Sequence, residues 1–376
     1  MDEKLRDISV LIPDGEDNML LNVVYSLSLQ SNITIYVLSS SKNHYMKYSR
    51  FIEKFIFKEE TDEREWVESI NELVERYNID LIIPVFEIGF RKLIKNKTFL
   101  RHKDKLCLLP SLENFDIARN KYSLYEHMES NNIPTPKGFI SMDGNFNNSK
   151  KIDFPLIAKP VVGFNAGRGV KLISSQNDAV KYLEKNSYGC AILFQEHIVG
   201  FDVSCNVLCK NGDILFHTMQ KRSSVTDKKN RSYQLGFNFI NDEQLLNTID
   251  NLMKSLDWSG VANIDCRFDI NDKAFKIIEI NPRFWVNTEL SALYGVNFPY
   301  LYCLLCLNKD IKPLDSYNNS NFLSLKGLFI HLKHNPFRLI KLKYLWSCSP
   351  IRFVMKDPLT TINKFIWRMK NVLSQA

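Results

Sequence analysis

Asp265, Glu279, Asn281 and Arg283 are the residues of this 376-residue chain whose types and spacing most suggest chemistry. The segments Asn263-Ile264-Asp265-Cys266-Arg267-Phe268-Asp269 and Ile277-Ile278-Glu279-Ile280-Asn281-Pro282-Arg283 each alternate apolar and polar residues, the period of a β-strand. Asn271-Asp272-Lys273 between them supplies turn chemistry. In such a hairpin side chains two apart share a face, so Glu279 and Asn281 project together and Asp265 can sit opposite them. Two carboxylates and a side-chain amide suit a hard cation, since Mg²⁺ is usually held by one or two carboxylates together with phosphate oxygens. The other reading is a meander whose polar face is merely wet. Flanking Ile277, Ile278 and Ile280 argue for a buried hairpin, and buried carboxylates need a partner. The pattern alone leaves both readings open.

A second candidate lies upstream. Phe154-Pro155-Leu156-Ile157-Ala158-Lys159 reads as a strand, and Pro160 leads into the glycine-rich loop Gly163-Phe164-Asn165-Ala166-Gly167-Arg168-Gly169. Glycines let backbone N–H groups approach phosphate oxygens closely, and Lys159 and Arg168 add positive charge. No Gly-Lys-Ser/Thr follows, so this is not a Walker loop, and a plain hairpin turn would have the same composition.

The elements that must position these residues are legible in order. Strand Ile8–Pro13, helix Met19–Leu29, strand Ile33–Leu38, helix Glu65–Tyr77 and strand Leu81–Val85 alternate as in a parallel sheet covered by helices. No GxGxxG follows the first strand, which argues against a dinucleotide site there. Glu87, just past the third strand, reads as a surface acid. Asp116–Ser130 reads as one helix carrying Arg119 and Lys121, ended by Ile133-Pro134-Thr135-Pro136. A buried strand over Cys190–Ile198 runs into Val199-Gly200-Phe201-Asp202, and two strands pair through the Lys210-Asn211-Gly212-Asp213 turn. Helices over Leu245–Leu256 and Ser291–Leu307 flank the Asp265/Glu279 hairpin.

Length and composition bound the answer. A chain of 376 residues is enough for two or three domains. No apolar run approaches the ~20 residues that span a bilayer. Met1-Asp2-Glu3-Lys4 does not open a signal peptide, so a cytoplasmic protein is expected. Eight cysteines scattered among apolar neighbours read as core thiols rather than disulfides or a zinc site. Charge is unevenly placed: residues 321–376 hold ten Lys/Arg and one acid, a net of +9, leaving −2 on the other 320 residues. A basic patch on a near-neutral body is no nucleic-acid signature. The tail reads in two ways: as amphipathic elements lying on the inner, anionic face of a membrane, or as helices packed on the core with lysines in water. The packed arrangement is the simpler expectation.

Taken in order, these elements resemble the ATP-grasp superfamily of ligases, and most closely the branch that holds the carbamoyl-phosphate-synthase large subunit, biotin carboxylase and the amino-acid ligases. The resemblance rests on the lysine helix ending in Ile-Pro-Thr-Pro and on Phe-Pro-Leu-Ile-Ala-Lys-Pro with its glycine loop. Gln195-Glu196-His197-Ile198-Val199-Gly200-Phe201-Asp202 and the Asp265/Glu279/Asn281/Arg283 set complete it, over residues 8–305. It implies an α/β and α+β architecture: a Rossmann-like parallel-sheet domain over residues 1–115, an ATP-grasp domain over 116–310 with a lid at about 150–195, and a basic, mostly helical extension over 311–376. It also implies roles. Lys121 and Lys159 would contact ATP phosphates, and the loop bearing Gly163, Gly167, Arg168 and Gly169 would close over them. Gln195, Glu196, His197 and Ile198 would line the adenine pocket, and Asp202 would bind the ribose. Asp265, Glu279 and Asn281 would hold Mg²⁺, for which Mn²⁺ could substitute, and Arg283 would meet the transferring phosphoryl group. The family more often has Glu or Gln at Asp265 and Glu at Asp202, each one methylene longer.

The activity so implied is ATP-dependent joining of a small-molecule carboxylate to an amine through an acyl phosphate, in surface-polysaccharide or peptide-like metabolite synthesis, by a protein able to form a homodimer. A kinase or acid–thiol ligase would use the same nucleotide site, and a non-catalytic nucleotide-binding scaffold is the third alternative. Arg222 is a candidate anchor for a substrate carboxylate or else a solvated arginine.

Overall fold

Buried aliphatic runs alternating with amphipathic helices build a four-stranded parallel sheet first. In the computed structural model, which describes residues 7–59, 62–142, 144–162, 169–185, 189–226, 232–311, 321–334 and 342–373, β1 (Ile8–Ile12), α1 (Leu20–Leu27), β2 (Ile33–Ser39), β3 (Lys54–Phe57), α2 (Glu63–Tyr77), β4 (Leu81–Ile82) and α3 (Glu87–Asn96) form this unit. The strand order is β3-β2-β1-β4, all parallel. Along β1, Ile8, Val10 and Ile12 join the cluster with α1, whereas Leu11 faces Trp66, Val67 and Ile70 of α2. Both faces are therefore covered, as all-parallel sheets require. Asp62 accepts from the Arg64 and Glu65 N–H groups to start α2, and left-handed Asn78 ends it.

Two short helices, α4 (Leu112–Arg119) and α5 (Lys121–Ser130), then occupy the stretch that reads as a single helix in the sequence. The break is at Asn120, whose backbone is extended and whose side chain caps the Tyr122 and Ser123 N–H groups. The Lys121 N–H donates to the Val161 carbonyl at 2.9 Å instead of continuing α4. Local capping and one tertiary bond thus override the helical periodicity, and they make Lys121 the first residue of a new helix.

A small antiparallel sheet follows: β5 (Gly138–Ser141), β6 (Leu156–Pro160), β7 (Lys171–Ile173) and, after α6 (Gln176–Glu184), β8 (Ile192–Glu196). Its order, β5-β8-β6-β7, takes in a strand upstream of the expected lid start. Next come β9 (Gly200–Lys210), β10 (Asp213–Thr226), β11 (Ser232–Ile240), α7 (Glu243–Ser255), β12 (Gly260–Asp269) and β13 (Ala274–Asn281). They form an antiparallel sheet ordered β13-β12-β9-β10-β11-β14, closed by β14 (Asn321–Leu323). Val203, Cys205 and Val207 of β9 pack in one core with Leu245, Ile249 and Leu252 of α7. The alternate residues Asp202, Ser204 and Asn206 take the other face, as strand geometry dictates.

After β13, α8 (Thr288–Tyr294) and α9 (Phe298–Cys306) replace the single helix expected over Ser291–Leu307. Gly295, at φ +119°, ends α8, and Asn297 caps α9. The chain closes with α10 (Leu325–His334), α11 (Leu342–Cys348), α12 (Ile351–Lys356) and α13 (Pro358–Leu373). These last two helices return to the N-terminal sheet domain: Phe353 stacks on Tyr25 at 4.9 Å, and Asp357 accepts from the Ser49 hydroxyl at 2.6 Å. Trp367 lies 5.6 Å from Tyr45. All eight cysteines are free thiols.

Candidate functional site

The polar face of the six-stranded sheet forms the floor of the site. In β12 and β13, Asp265 pairs with Glu279 and Asn263 with Asn281. A bulge follows Asp265, because Cys266 pairs with Ile277, so Ile278 is the extra residue. Its carbonyl accepts a hydrogen bond from Lys159 Nζ, reaching over from β6, at 3.3 Å. Lys121 Nζ, at the start of α5, stands 3.2 Å from Glu279 Oε2. Arg283 donates through Nη2 to Asn281 Oδ1 at 3.1 Å and through Nη1 to the Phe284 carbonyl, and its guanidinium lies 5.1 Å from the Phe86 ring centre. Three cations from three elements therefore meet two carboxylates and an amide.

The electrostatics split the carboxylates. Burial, reinforced by the facing Glu279, pushes the Asp265 carboxyl up to about 6. Burial would raise Glu279 as well, but the charges of Lys121 and Lys159 outweigh it and hold that carboxyl below its ordinary value. Burial pulls Lys159 down to about 8, against the opposing charge of Glu279. Asp265 accepts from the Ser204 hydroxyl at 2.7 Å and from Asn281 Nδ2 at 3.4 Å, yet it has no salt-bridge partner among the described residues. A buried carboxylate without a cation, beside a second carboxylate and an amide oxygen, is a donor set that fits Mg²⁺ or Mn²⁺. Arg283 Nε is buried with no hydrogen-bond partner among the described residues.

Behind these groups runs a row of amides. Asn281 Nδ2 donates to Asn263 Oδ1 at 3.1 Å, Asn263 Nδ2 to Asn206 Oδ1 at 2.9 Å, and Asn206 Nδ2 to Thr218 Oγ1 at 3.1 Å. Every bond points the same way across β13, β12, β9 and β10. Asn206 and Thr218 are fully buried, so turning one amide over would leave like groups facing each other. The row therefore fixes Asn281 with its oxygen, and not its NH₂, toward Arg283.

At the other end of the cleft, the Glu196 N–H donates to the Lys137 carbonyl and the His197 N–H to the Pro155 carbonyl. Arg267 Nε donates to the Ile198 carbonyl. Gln195 is buried and its amide donates to the Pro136 carbonyl, so that side chain is spent inside the fold. The Glu196 carboxylate meets Lys276 at 3.1 Å. Asp202 lies between Arg267 and Arg222, with Arg222 Nη1 at 3.8 Å. Arg222 thus faces a carboxylate of the chain itself. Glu87, read in the sequence as a surface acid, accepts from Arg119 Nε at 2.6 Å in the first turn of α3 and stabilises the charge on Arg283.

Comparison with known proteins bears on this arrangement directly. Residues 118–286 match the model of the ATP-grasp domain. The chain carries an ATP-grasp domain. Its curated relatives include the carbamoyl phosphate synthase large chain of Clostridium perfringens, 23% identical over 261 residues that make up 66% of this chain and 24% of the relative. They also include D-aspartate ligase of Enterococcus faecium, 22% identical over 56% of this chain and 54% of the ligase. The chain thus spans about a quarter of the length of the first relatives it matches. Among solved structures, N5-carboxyaminoimidazole synthetase from Staphylococcus aureus complexed with ADP superposes with a TM-score of 0.65 at 15% identity, covering 88% of each chain. That likeness of fold runs beyond both ends of the matched segment.

The ATP-grasp domain brings Lys121, Lys159, Asp265, Glu279, Asn281 and Arg283 to one place; Glu196 ends β8 in the small sheet, His197 and Ile198 lie in the link to β9, and Asp202 stands on β9 in the six-stranded sheet. Gly163, Gly167 and Arg168 lie outside the described residues. Gly169, at φ +75°, is a left-handed turn residue whose carbonyl accepts from the Tyr182 hydroxyl at 2.6 Å. Sequence reasoning missed Ser204, Asn206, Asn263, Thr218 and Arg267. The signal was available: Asp202, Ser204 and Asn206 alternate with Val203, Cys205 and Val207, just as Asn263, Asp265 and Arg267 alternate with apolar residues. Two neighbouring strands with polar residues on one buried face mark the floor of a site.

Proposed function

We propose that this chain is an ATP-dependent carboxylate–amine ligase that works through an acyl phosphate. The observation that carries the reading is the convergence of Lys121, Lys159 and Arg283 on the Asp265/Glu279/Asn281 group. The reading is supported by the closeness of three cationic side chains to two carboxylates and an amide, the combination that terminal phosphates with a bound metal ion would need. A carboxylate oxygen attacks the γ-phosphorus, and the bond to the bridging oxygen of ADP breaks. Little covalent help is needed from the protein, because such transfers depend on positioning and on neutralising charge. Lys121 and Lys159 hold the phosphate oxygens from opposite sides of the cleft. Asp265, Glu279 and Asn281 would ligate Mg²⁺, which offsets the charge building on the transferring group. Arg283, with its unpaired Nε, steadies the phosphoryl oxygens. The amine nitrogen then attacks the acyl carbon, the C–O bond to phosphate breaks, the nitrogen loses a proton, and an amide, ADP and phosphate leave.

At the nucleotide's other end, the Ile198 N–H would read the base and Asp202 the ribose hydroxyls. The loop bearing Gly163, Gly167, Arg168 and Gly169 would cover the phosphates and keep water from the acyl phosphate. The acid and amine are proposed to be an amino acid, a peptide or a uronic-acid-type sugar. The test is ADP release with Mg²⁺ and ATP against pooled acids and amines, followed by mass spectrometry. Release that needs both an acid and an amine, with a product lighter than their sum by one water, is the expected result. A phosphorylated product formed without an amine would make the protein a kinase.

A further inference from the structure

The basic extension ends in a helix with two unlike faces. Thr360, Lys364 and Trp367 of α13 turn toward the N-terminal domain: Thr360 is fully buried, Lys364 Nζ sits 5.6 Å from the Tyr45 ring centre, and Trp367 packs on Tyr45 and His44. Leu359, Ile362, Ile366 and Met369 follow at spacings of three, four and three residues, with Phe365 beside them. That spacing makes one stripe on the opposite side of the helix. The stripe is open to solvent, from 44% exposure at Ile366 to 66% at Phe365, and Met355 at the end of α12 adds 65%. Single exposed apolar residues are ordinary, but five on one side of a single helix form a patch of the kind that marks an interaction surface.

Charge says which partner. Lys356, Arg368 and Lys370 are exposed, and by helical position Arg368 and Lys370 border the stripe on either side. Residues 321–376 contain one acid, Asp357, and it is buried against Ser49 and the Arg50 N–H. Within this extension, then, no exposed acid offsets the basic residues beside the stripe. A second copy of this chain would bring +9 against +9. No helix among the described residues is long and apolar enough to cross a membrane. An outward apolar stripe bordered by Lys and Arg is instead what an interfacial helix uses to lie in the headgroup layer of an anionic bilayer. We infer that α13 docks the protein on an anionic lipid surface, inserting Leu359, Ile362, Phe365, Ile366 and Met369 among acyl chains while Lys356, Arg368 and Lys370 face lipid headgroups. This inference stands apart from the ligase reading, because none of these residues belongs to the cleft.

The experiment is co-sedimentation of the full chain with vesicles of phosphatidylcholine alone and of phosphatidylcholine with one-third phosphatidylglycerol, at ~0.05 M and ~0.5 M salt, which changes screening length severalfold. The bound fraction is expected to be about tenfold higher on the anionic vesicles and to fall at high salt. Ile362→Ser, Phe365→Ser and Met369→Ser combined should abolish it, as should Arg368→Glu with Lys370→Glu. ADP binding and the melting temperature of both variants should match the parent, since every changed residue is exposed. Equal binding to the two vesicle types overturns the inference, and so does binding that survives the triple variant. A solution dimer removed by the triple variant, without vesicle binding, would assign the stripe to a second copy and overturn it as well.

Discussion

Glu279→Gln separates a metal ligand from a mere counter-charge. Glu279 faces Asp265 across the hairpin, lies 3.2 Å from Lys121, and carries part of the load that keeps Lys159 protonated. At that distance the attraction between two unit charges is about 5 kcal/mol for an effective dielectric of ~20, most of it offset by desolvation. The amide keeps the shape and removes the charge. Lys121 then lacks its anion and Lys159 keeps only Asp265, so the Lys159 ammonium loses protons more readily, while Asp265, freed from a like charge, moves down from about 6. Without metal, ADP should therefore bind the variant at least as well as the parent, because the lysines seek a new anion. With metal the order reverses: losing one of two carboxylate ligands should lower turnover by about a thousandfold, roughly 4 kcal/mol. The assay is calorimetric titration of ADP with and without Mg²⁺, alongside ADP release from ATP. Mg²⁺ enhancement of ADP binding equal to the parent's would refute the metal assignment, and turnover within threefold of the parent would refute Glu279's role altogether.

Two further outcomes follow from buried polar groups. Asn206→Leu leaves Asn263 Nδ2 and Thr218 Oγ1 without partners; it should cost about 3 kcal/mol of stability, and by loosening the amide row it should weaken Mn²⁺ binding in the presence of ADP about tenfold. Melting that falls with Mn²⁺ affinity unchanged would reduce the row to a structural role. His44 is buried, its Nδ1 accepts from the Met46 N–H, and burial lowers it to about 4. As pH falls from the ordinary 6.5 toward 4, the unfolded chain takes up a proton that the folded chain refuses. Stability should therefore drop by up to about 3 kcal/mol across that window, and thermal melts of His44→Gln should show a flatter pH dependence.

The convergence of Asp265, Glu279 and Asn281 was legible in the sequence because strands alternate. Once Asp265 and Glu279 are read as members of a hairpin, the two-residue period fixes which side chains share a face, whatever the rest of the chain does. The parallel N-terminal sheet was legible for a similar reason: buried aliphatic runs between amphipathic helices have few ways to be covered. Three things were decided only by tertiary contact. Asn120 breaks a helix that periodicity favours, because its side chain caps a new one and the Lys121 N–H finds the Val161 carbonyl. The bulge at Ile278 frees a carbonyl for Lys159, and no local pattern announces a bulge. The direction of the amide row depends on Asn281, Asn263, Asn206 and Thr218 lying side by side on four strands whose order, β13-β12-β9-β10, is not their order in the chain. A sequence specifies which residues can donate and accept; strand order specifies to whom, because hydrogen bonds act over about 3 Å and the chain must first bring distant segments that close.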